Sequence, residues 1–157
     1  MSVRVQSDDF DVGKELESLS CDRPGVGAVV SFVGLVRDML VDRPLVALEL
    51  EHYPGMTERE LAAIEAEARR RWPLESVLVI HRYGRLFPGD RIVLVAVASA
   101  HRGAAFEACQ FLIDWLKTRA PFWKLEQTTG GEHWVEAKAG DEDAAARWAT
   151  PEKATPG

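Results

Sequence analysis

Apolar and polar residues recur along this chain in two periods, and the switches between them divide it into elements. Val3–Gln6 alternates and predicts a short first strand. Asp11 to Leu19 carries amphipathic helical spacing, with Asp8, Asp9 and Asp11 as candidate N-caps. Gly27-Ala28-Val29-Val30-Ser31-Phe32-Val33 is β-rich and nearly continuously apolar, which predicts a buried strand. Arg37 to Pro44 reads as a loop. Val46 to Tyr53 sets Val46, Leu48, Leu50 and His52 against Ala47, Glu49, Glu51 and Tyr53, a half-exposed strand closed by a Pro54-Gly55 turn.

Thr57-Glu58-Arg59-Glu60 has the form of a capping box, and the helix behind it places Leu61, Ile64, Ala68 and Trp72 on one face before Pro73 ends it. Val77 to Arg85 and Arg91 to Ser99 flank Phe87-Pro88-Gly89-Asp90 and predict neighbouring strands of an antiparallel hairpin. A second long helix runs from Ala104 to Thr118. Pro121 stops it, and Phe122 to Thr128 resumes as a strand. Gly130-Gly131 turns into a last short strand, His133 to Ala137, and Asp141 to Trp148 adds one or two helical turns. The order β-α-β-β-α-β-β-α-β-β predicts an α+β fold: a mostly antiparallel sheet with helices packed on one side. Residues 1–149 form one domain in this reading, and 150–157 a flexible tail.

Composition narrows the function classes. At 157 residues, with 46% hydrophobic and 28% charged positions, the chain is an ordinary globular domain. A net charge of −6 argues against general nucleic-acid binding and against a polybasic membrane face. The start, Met1 to Asp9, has no apolar signal region, and the apolar run Ile92 to Ala98 is far too short to span a bilayer. Cys21 and Cys109 have neither CxxC spacing nor a paired His, which fits a reduced, cytoplasmic protein without a disulfide framework or zinc site.

One segment runs against the acidic background. His101 to Lys124 holds Arg102, Lys117, Arg119 and Lys124 against Glu107 and Asp114, a local balance of +2, so the remainder carries −8. Such a basic island beside Phe122 and Trp123 suits a small anion. Lys117 shares a helical face with Ile113, Gln110 and Phe106. It either complements the helix dipole or, partly desolvated, serves as a general acid, base or nucleophile. Lys124 follows on the strand just past the Pro121 turn, so the two lysines can face one pocket and attract a phosphate or carboxylate. One of Phe122 and Trp123 is expected to pack in the core. His101-Arg102 ends an apolar strand and opens a helix, a place for an anion or simply a solvated strand end. From Gly103 to Lys117 is about 20 Å along a helix, so a site using both ends calls for a second copy of the chain. Arg37 is either an exposed strand end or an anion clamp. His52, His81 and His133 lack metal-type spacing and read as structural or exposed. Cys109 reads as core packing and Gly130-Gly131 as a turn.

Six strings stand in order along the chain: Gly34-Leu35-Val36-Arg37, Leu50-Glu51-His52-Tyr53-Pro54-Gly55-Met56-Thr57, Val79-Ile80-His81-Arg82, Pro88-Gly89-Asp90, Ser99-Ala100-His101-Arg102 and Lys117-Thr118-Arg119-Ala120-Pro121-Phe122-Trp123-Lys124. Together they resemble the large, catalytic subunit of molybdopterin synthase. The resemblance covers about residues 3–148. It implies an α/β-hammerhead-like fold and a homodimer at the centre of a heterotetramer. It also implies a small ubiquitin-like sulfur-carrier partner whose C-terminal Gly-Gly ends as a thiocarboxylate. Sulfur passes from that tail to cyclic pyranopterin monophosphate, giving the dithiolene of molybdopterin. By the same resemblance Lys117 is catalytic and Lys124 supports it, and both contact substrate. Arg37, His101 and Arg102 bind the pterin phosphate region, the last two from the partner subunit. Glu126 lines the pocket, and Lys138 adds positive potential. No metal or cofactor is implied, because the attacking sulfur arrives on the carrier. The loop Asp38-Met39-Leu40-Val41-Asp42-Arg43-Pro44 departs from the resemblance in being more apolar than the polar, Asn/Gly-containing loop expected there. Two rival readings use the same residues: a docking module that binds the carrier tail without turnover, and an unrelated Schiff-base lyase acting through Lys117.

Overall fold

The computed structural model describes residues 2–38, 45–129, 131–135, 146 and 148. In chain order it shows β1 (Val3–Gln6), α1 (Val12–Ser20), β2 (Ala28–Leu35), β3 (Leu45–His52), α2 (Met56–Arg71), β4 (Ser76–Arg82), β5 (Gly84–Leu86), β6 (Arg91–Ser99), α3 (Arg102–Arg119), β7 (Phe122–Thr128) and β8 (Gly131–Val135). The α+β class is as expected, with one strand divided in two. The expected strand Val77–Arg85 breaks at Tyr83, where Gly84 takes φ +90°, a conformation open to glycine. The three residues beyond it, β5, then join a different sheet. The strands accordingly form two four-stranded sheets, ordered β1-β4-β6-β2 and β5-β3-β7-β8. Only β1 and β4 pair in parallel, with Val3 opposite Val79; the other ladders are antiparallel. The expected last helical turns and tail lie outside the described residues, apart from 146 and 148.

Helices cover both faces of the first sheet rather than one. Along β4 and β6 every residue from Val77 to Ile80 and from Ile92 to Ser99 is buried, so each face needs a cover. Val77, Val79, Val93, Val95 and Val97 face α2 and α3, through Leu61, Ile64, Ala68, Ala108, Phe111, Leu112 and Leu116. Leu78, Ile80, Leu94, Ala96 and Ala98 face the other way, onto Phe10 and the α1 residue Leu19. Fully burying a Leu or Phe side chain contributes about 1.5–3 kcal/mol each, so these two layers account for most of the driving force. Asp11 caps α1 as expected, accepting from the Lys14 N–H at 3.1 Å. β2 departs from expectation. It is the outer strand of its sheet, and Val29, Phe32 and Leu35 are 37%, 37% and 55% exposed. Apolar content alone cannot tell a central strand from an edge strand.

The start of α2 also differs from the expected capping box. Gly55, at φ +84°, is the N-cap, and Glu58 reaches back to its N–H at 2.6 Å. That leaves Thr57 for another task. Fully buried, its hydroxyl accepts from the Tyr53 N–H at 3.1 Å and donates to the Pro121 carbonyl at 3.3 Å. One side chain thereby ties the β3–α2 corner to the α3–β7 corner. Thr57→Val keeps the shape but strips both bonds, and a stability loss of about 1–3 kcal/mol is expected in urea unfolding. An unchanged midpoint would show that the tie is idle.

Candidate functional site

The α3–β7 corner gathers the later part of the basic island, Lys117 to Lys124. Lys117 lies in the last turn of α3, and the Ala120 N–H closes the helix on the Leu116 carbonyl at 3.3 Å. Pro121 prevents continuation, and β7 begins at once with Phe122. Lys124 sits on β7 opposite Leu50 of β3 and Val135 of β8. Both lysines are half-buried.

Beneath them is a residue that sequence patterning undervalued. His81 continues the inward face of Val77 and Val79, and is 5% exposed. Its ring stacks on Phe122 with centroids 3.7 Å apart and planes inclined by 19°. Its Nδ1 lies 2.8 Å from the Arg82 carbonyl. A carbonyl only accepts, so Nδ1 carries the hydrogen and Nε2 keeps its lone pair. Burial pushes the His81 pKa down to about 3, against the pull of the Arg82 carbonyl, and the positive charges of Lys117 and Lys124, with His52 nearby, press the same way as burial. The ring is therefore neutral at physiological pH, and both lysines are close enough to act on it. His52 completes the cluster, 4.3 Å from the Tyr83 ring and 6.4 Å from Phe122 between centroids, with Glu58 at 3.9 Å. Of the adjacent aromatics, Phe122 packs inward, whereas Trp123 stays 38% exposed and meets Tyr53 edge-on at 4.0 Å. The signal for His81 was its place in the alternation, a polar ring at a position where Val77 and Val79 require an inward side chain.

The other expected site residues divide into two groups. Glu126 is half-buried two positions beyond Lys124, on the same side of β7. Arg37 is exposed just past β2, where the Val36 N–H bonds the Asp90 carbonyl at 2.8 Å and the Gly89 N–H bonds Val36 at 2.7 Å. That is the end of the sheet at which β6 begins. His101 and Arg102 lie past the opposite end, both exposed, with His101 as N-cap of α3 and no side-chain capping bond. α3 runs back from there over the sheet, Cys109 meeting the Val95 carbonyl at 3.9 Å, so its Lys117 end returns toward the β6 start. Arg102 and Lys117 are held about 22 Å apart by an unbroken helix. Within one chain, Arg37 shares an end of the fold with Lys117, and His101-Arg102 does not. The face expected around Lys117 is more open than its composition suggested: Gln110 is exposed and Phe106 is 61% exposed. Lys138, and the side chain of His133, lie outside the described residues. Among the described helices none is long and apolar enough to cross a membrane.

Residues 5–119 match the family described as MoaE protein. The chain belongs to that family. The molybdopterin synthase catalytic subunit of Ralstonia nicotianae is 56% identical over 147 residues, covering 94% of this chain and 84% of the relative. A solved MoaE structure, the molybdopterin biosynthesis MoaE protein from Burkholderia ambifaria MC40-6, superposes with a TM-score of 0.82 at 52% identity, covering 95% of this chain and 98% of that one. A protein–protein complex of subunits 1 and 2 of molybdopterin-converting factor from Helicobacter pylori 26695 shares the MoaE fold, with a TM-score of 0.73, 18% identity and coverage of 88% and 92%. The family match ends at Arg119, before β7 and its Lys124 and Glu126.

Proposed function

We propose that this chain is the catalytic subunit of a molybdopterin synthase. It takes sulfur from the C-terminal thiocarboxylate of a small ubiquitin-like carrier and delivers it to cyclic pyranopterin monophosphate, forming the molybdopterin dithiolene. The observation that carries this reading is the placement of Lys117 in the last turn of α3 and of Lys124 on the strand that leaves it, two residues beyond the Phe122 ring that stacks on His81. A helix end and the strand leaving it give the pair a fixed mutual position, which transfer between two bound reactants requires.

The roles follow from charge and placement. Lys117, beside the carrier terminus, supplies the proton donor and acceptor, and Lys124 stabilises negative charge developing on the thiocarboxylate or substrate oxygen. Glu126, on the same side of β7, lines the pocket, and Lys138 adds positive potential. Arg37, His101 and Arg102 hold the phosphate end of the pterin, with His101 and Arg102 coming from a second copy. Support for a second copy lies in the apolar residues left on the edge strand β2, Val29, Phe32 and Leu35, and in Phe106 on α3. The assembly is thus a homodimer flanked by two small carrier subunits, and the H. pylori complex of two subunits of molybdopterin-converting factor is in keeping with it. The cytoplasm is the compartment where this chemistry would run. The test is reconstitution: the full-length chain, mixed with thiocarboxylated carrier and cyclic pyranopterin monophosphate, should yield molybdopterin, and with the unmodified carboxylate carrier should yield none. No product with the thiocarboxylated carrier would overturn the reading.

A further inference from the structure

We propose that His81 is a positioning residue for the lysine pair: its buried ring is the platform on which Phe122 stacks, and it thereby sets where Lys124 stands relative to Lys117. This rests on the reading of Lys117 and Lys124 as the reacting site.

The α3–β7 corner must be rigid if two long side chains from different elements are to meet one substrate. Three contacts brace it. Thr57 bonds the Pro121 carbonyl at 3.3 Å, the Phe122 N–H bonds the Ala120 carbonyl at 2.9 Å, and Phe122 stacks on His81 at 3.7 Å. Only the last lies under β7 itself, two residues before Lys124. His81 in turn sits on β4, whose neighbours β1 and β6 hold it in the centre of the first sheet. The stack therefore joins the second sheet, which carries Lys124, to the first, on which α3 and Lys117 pack.

A Val or Leu would satisfy the burial at this position, so the imidazole calls for a reason. Its Nδ1–H is spent on the Arg82 carbonyl at 2.8 Å, which fixes the ring plane and hence the plane offered to Phe122. Two lysines face it from two elements, Lys117 on α3 and Lys124 on β7; His52 of β3 lies on the same side, and Glu58 of α2 reaches only as far as His52. A protonated ring would be repelled by both lysines. Neutral, it is flat and polarisable, and it adds no charge between two ammonium groups that must approach the same anion.

The experiment compares His81→Ala, His81→Phe and His81→Asn in the full-length chain, reconstituted with thiocarboxylated carrier and cyclic pyranopterin monophosphate. His81→Ala is expected to lower kcat about tenfold or more, with KM for the carrier within about twofold, because docking is intact and only the lysine geometry is loosened. His81→Phe, which restores the stacked ring, is expected within about threefold of wild type, and His81→Asn, which restores only the donor, to resemble His81→Ala. A merely destabilised chain would lose active fraction without this split between kcat and KM and would not be rescued selectively by the ring of His81→Phe. Wild-type kcat in a folded His81→Ala chain would overturn the proposal. So would an inactive His81→Phe chain, even if His81→Ala fails to fold. Full activity of Lys117→Ala would instead remove the site reading beneath it, whereas an inactive Lys117→Ala beside a fully active His81→Ala removes this inference alone.

Discussion

Lys117→Ala is expected to reduce molybdopterin formation by about 10²–10³-fold while carrier affinity changes by no more than about twofold. The reduction follows from position. Lys117 lies in the last turn of α3, is half-buried, and stands with Lys124 beside a histidine that burial keeps uncharged. Affinity should survive because a docked carrier presents a far larger surface than its last residues. The companion variant Lys117→Arg separates two roles. Arginine keeps the positive charge but stays protonated at any working pH. If Lys117 serves only as a charge, Lys117→Arg recovers most of the activity; if it moves a proton, Lys117→Arg stays nearly as slow as Lys117→Ala. Single-turnover rates with preformed carrier complex, read beside carrier titrations, make the comparison. Unchanged product formation in Lys117→Ala would leave this subunit as a docking module, and borohydride trapping of substrate on Lys117 would favour the lyase reading.

Much of this corner could be read from the sequence, and the parts that could not have a common cause. The α3 helix, its stop at Pro121 and the strand carrying Lys124 follow from local spacing, because a helix end and a proline act on their own neighbours. What local spacing cannot supply is the partner at long range. β1 pairs with β4 across more than seventy residues, and β5 leaves the β4 line for the other sheet after one glycine. Thr57 looks like a cap because Ser and Thr before a helix usually are; here its hydroxyl is claimed by Pro121, and Gly55 with Glu58 takes over the helix start. β2 looks buried by composition and lies at an edge, its apolar side chains left for a partner. His81 looks structural, and it is buried as that implies. Its meaning comes only from Phe122 and the two lysines, which arrive from elements 36 to 43 residues later. The resemblance to the molybdopterin synthase family placed Lys117 and Lys124 together without that three-dimensional information, and the fold places them at one corner.

The division of the basic groups between the two ends of α3 leads to the second large effect. Lys117→Ala and Arg102→Ala homodimers should each be nearly inactive, and mixing them should restore activity. The helix is unbroken from Arg102 to Arg119, so the two residues of one chain stay about 22 Å apart, beyond the span of a small pterin phosphate. If each site draws Lys117 from one protomer and Arg102 from its partner, a hybrid dimer contains one doubly damaged site and one intact site. Equal mixing with full subunit exchange makes half the dimers hybrids, so recovery of about a quarter of wild-type activity is expected. The same mixing of Lys117→Ala with Lys124→Ala should restore nothing, because those two residues converge on one His81 within a chain and no arrangement of protomers separates them. That contrast makes the result specific. Rescue in both mixtures would mean that the lysines serve different sites, and rescue in neither, with exchange verified by differently tagged chains, would remove the second protomer from the site and leave His101-Arg102 as an exposed helix start.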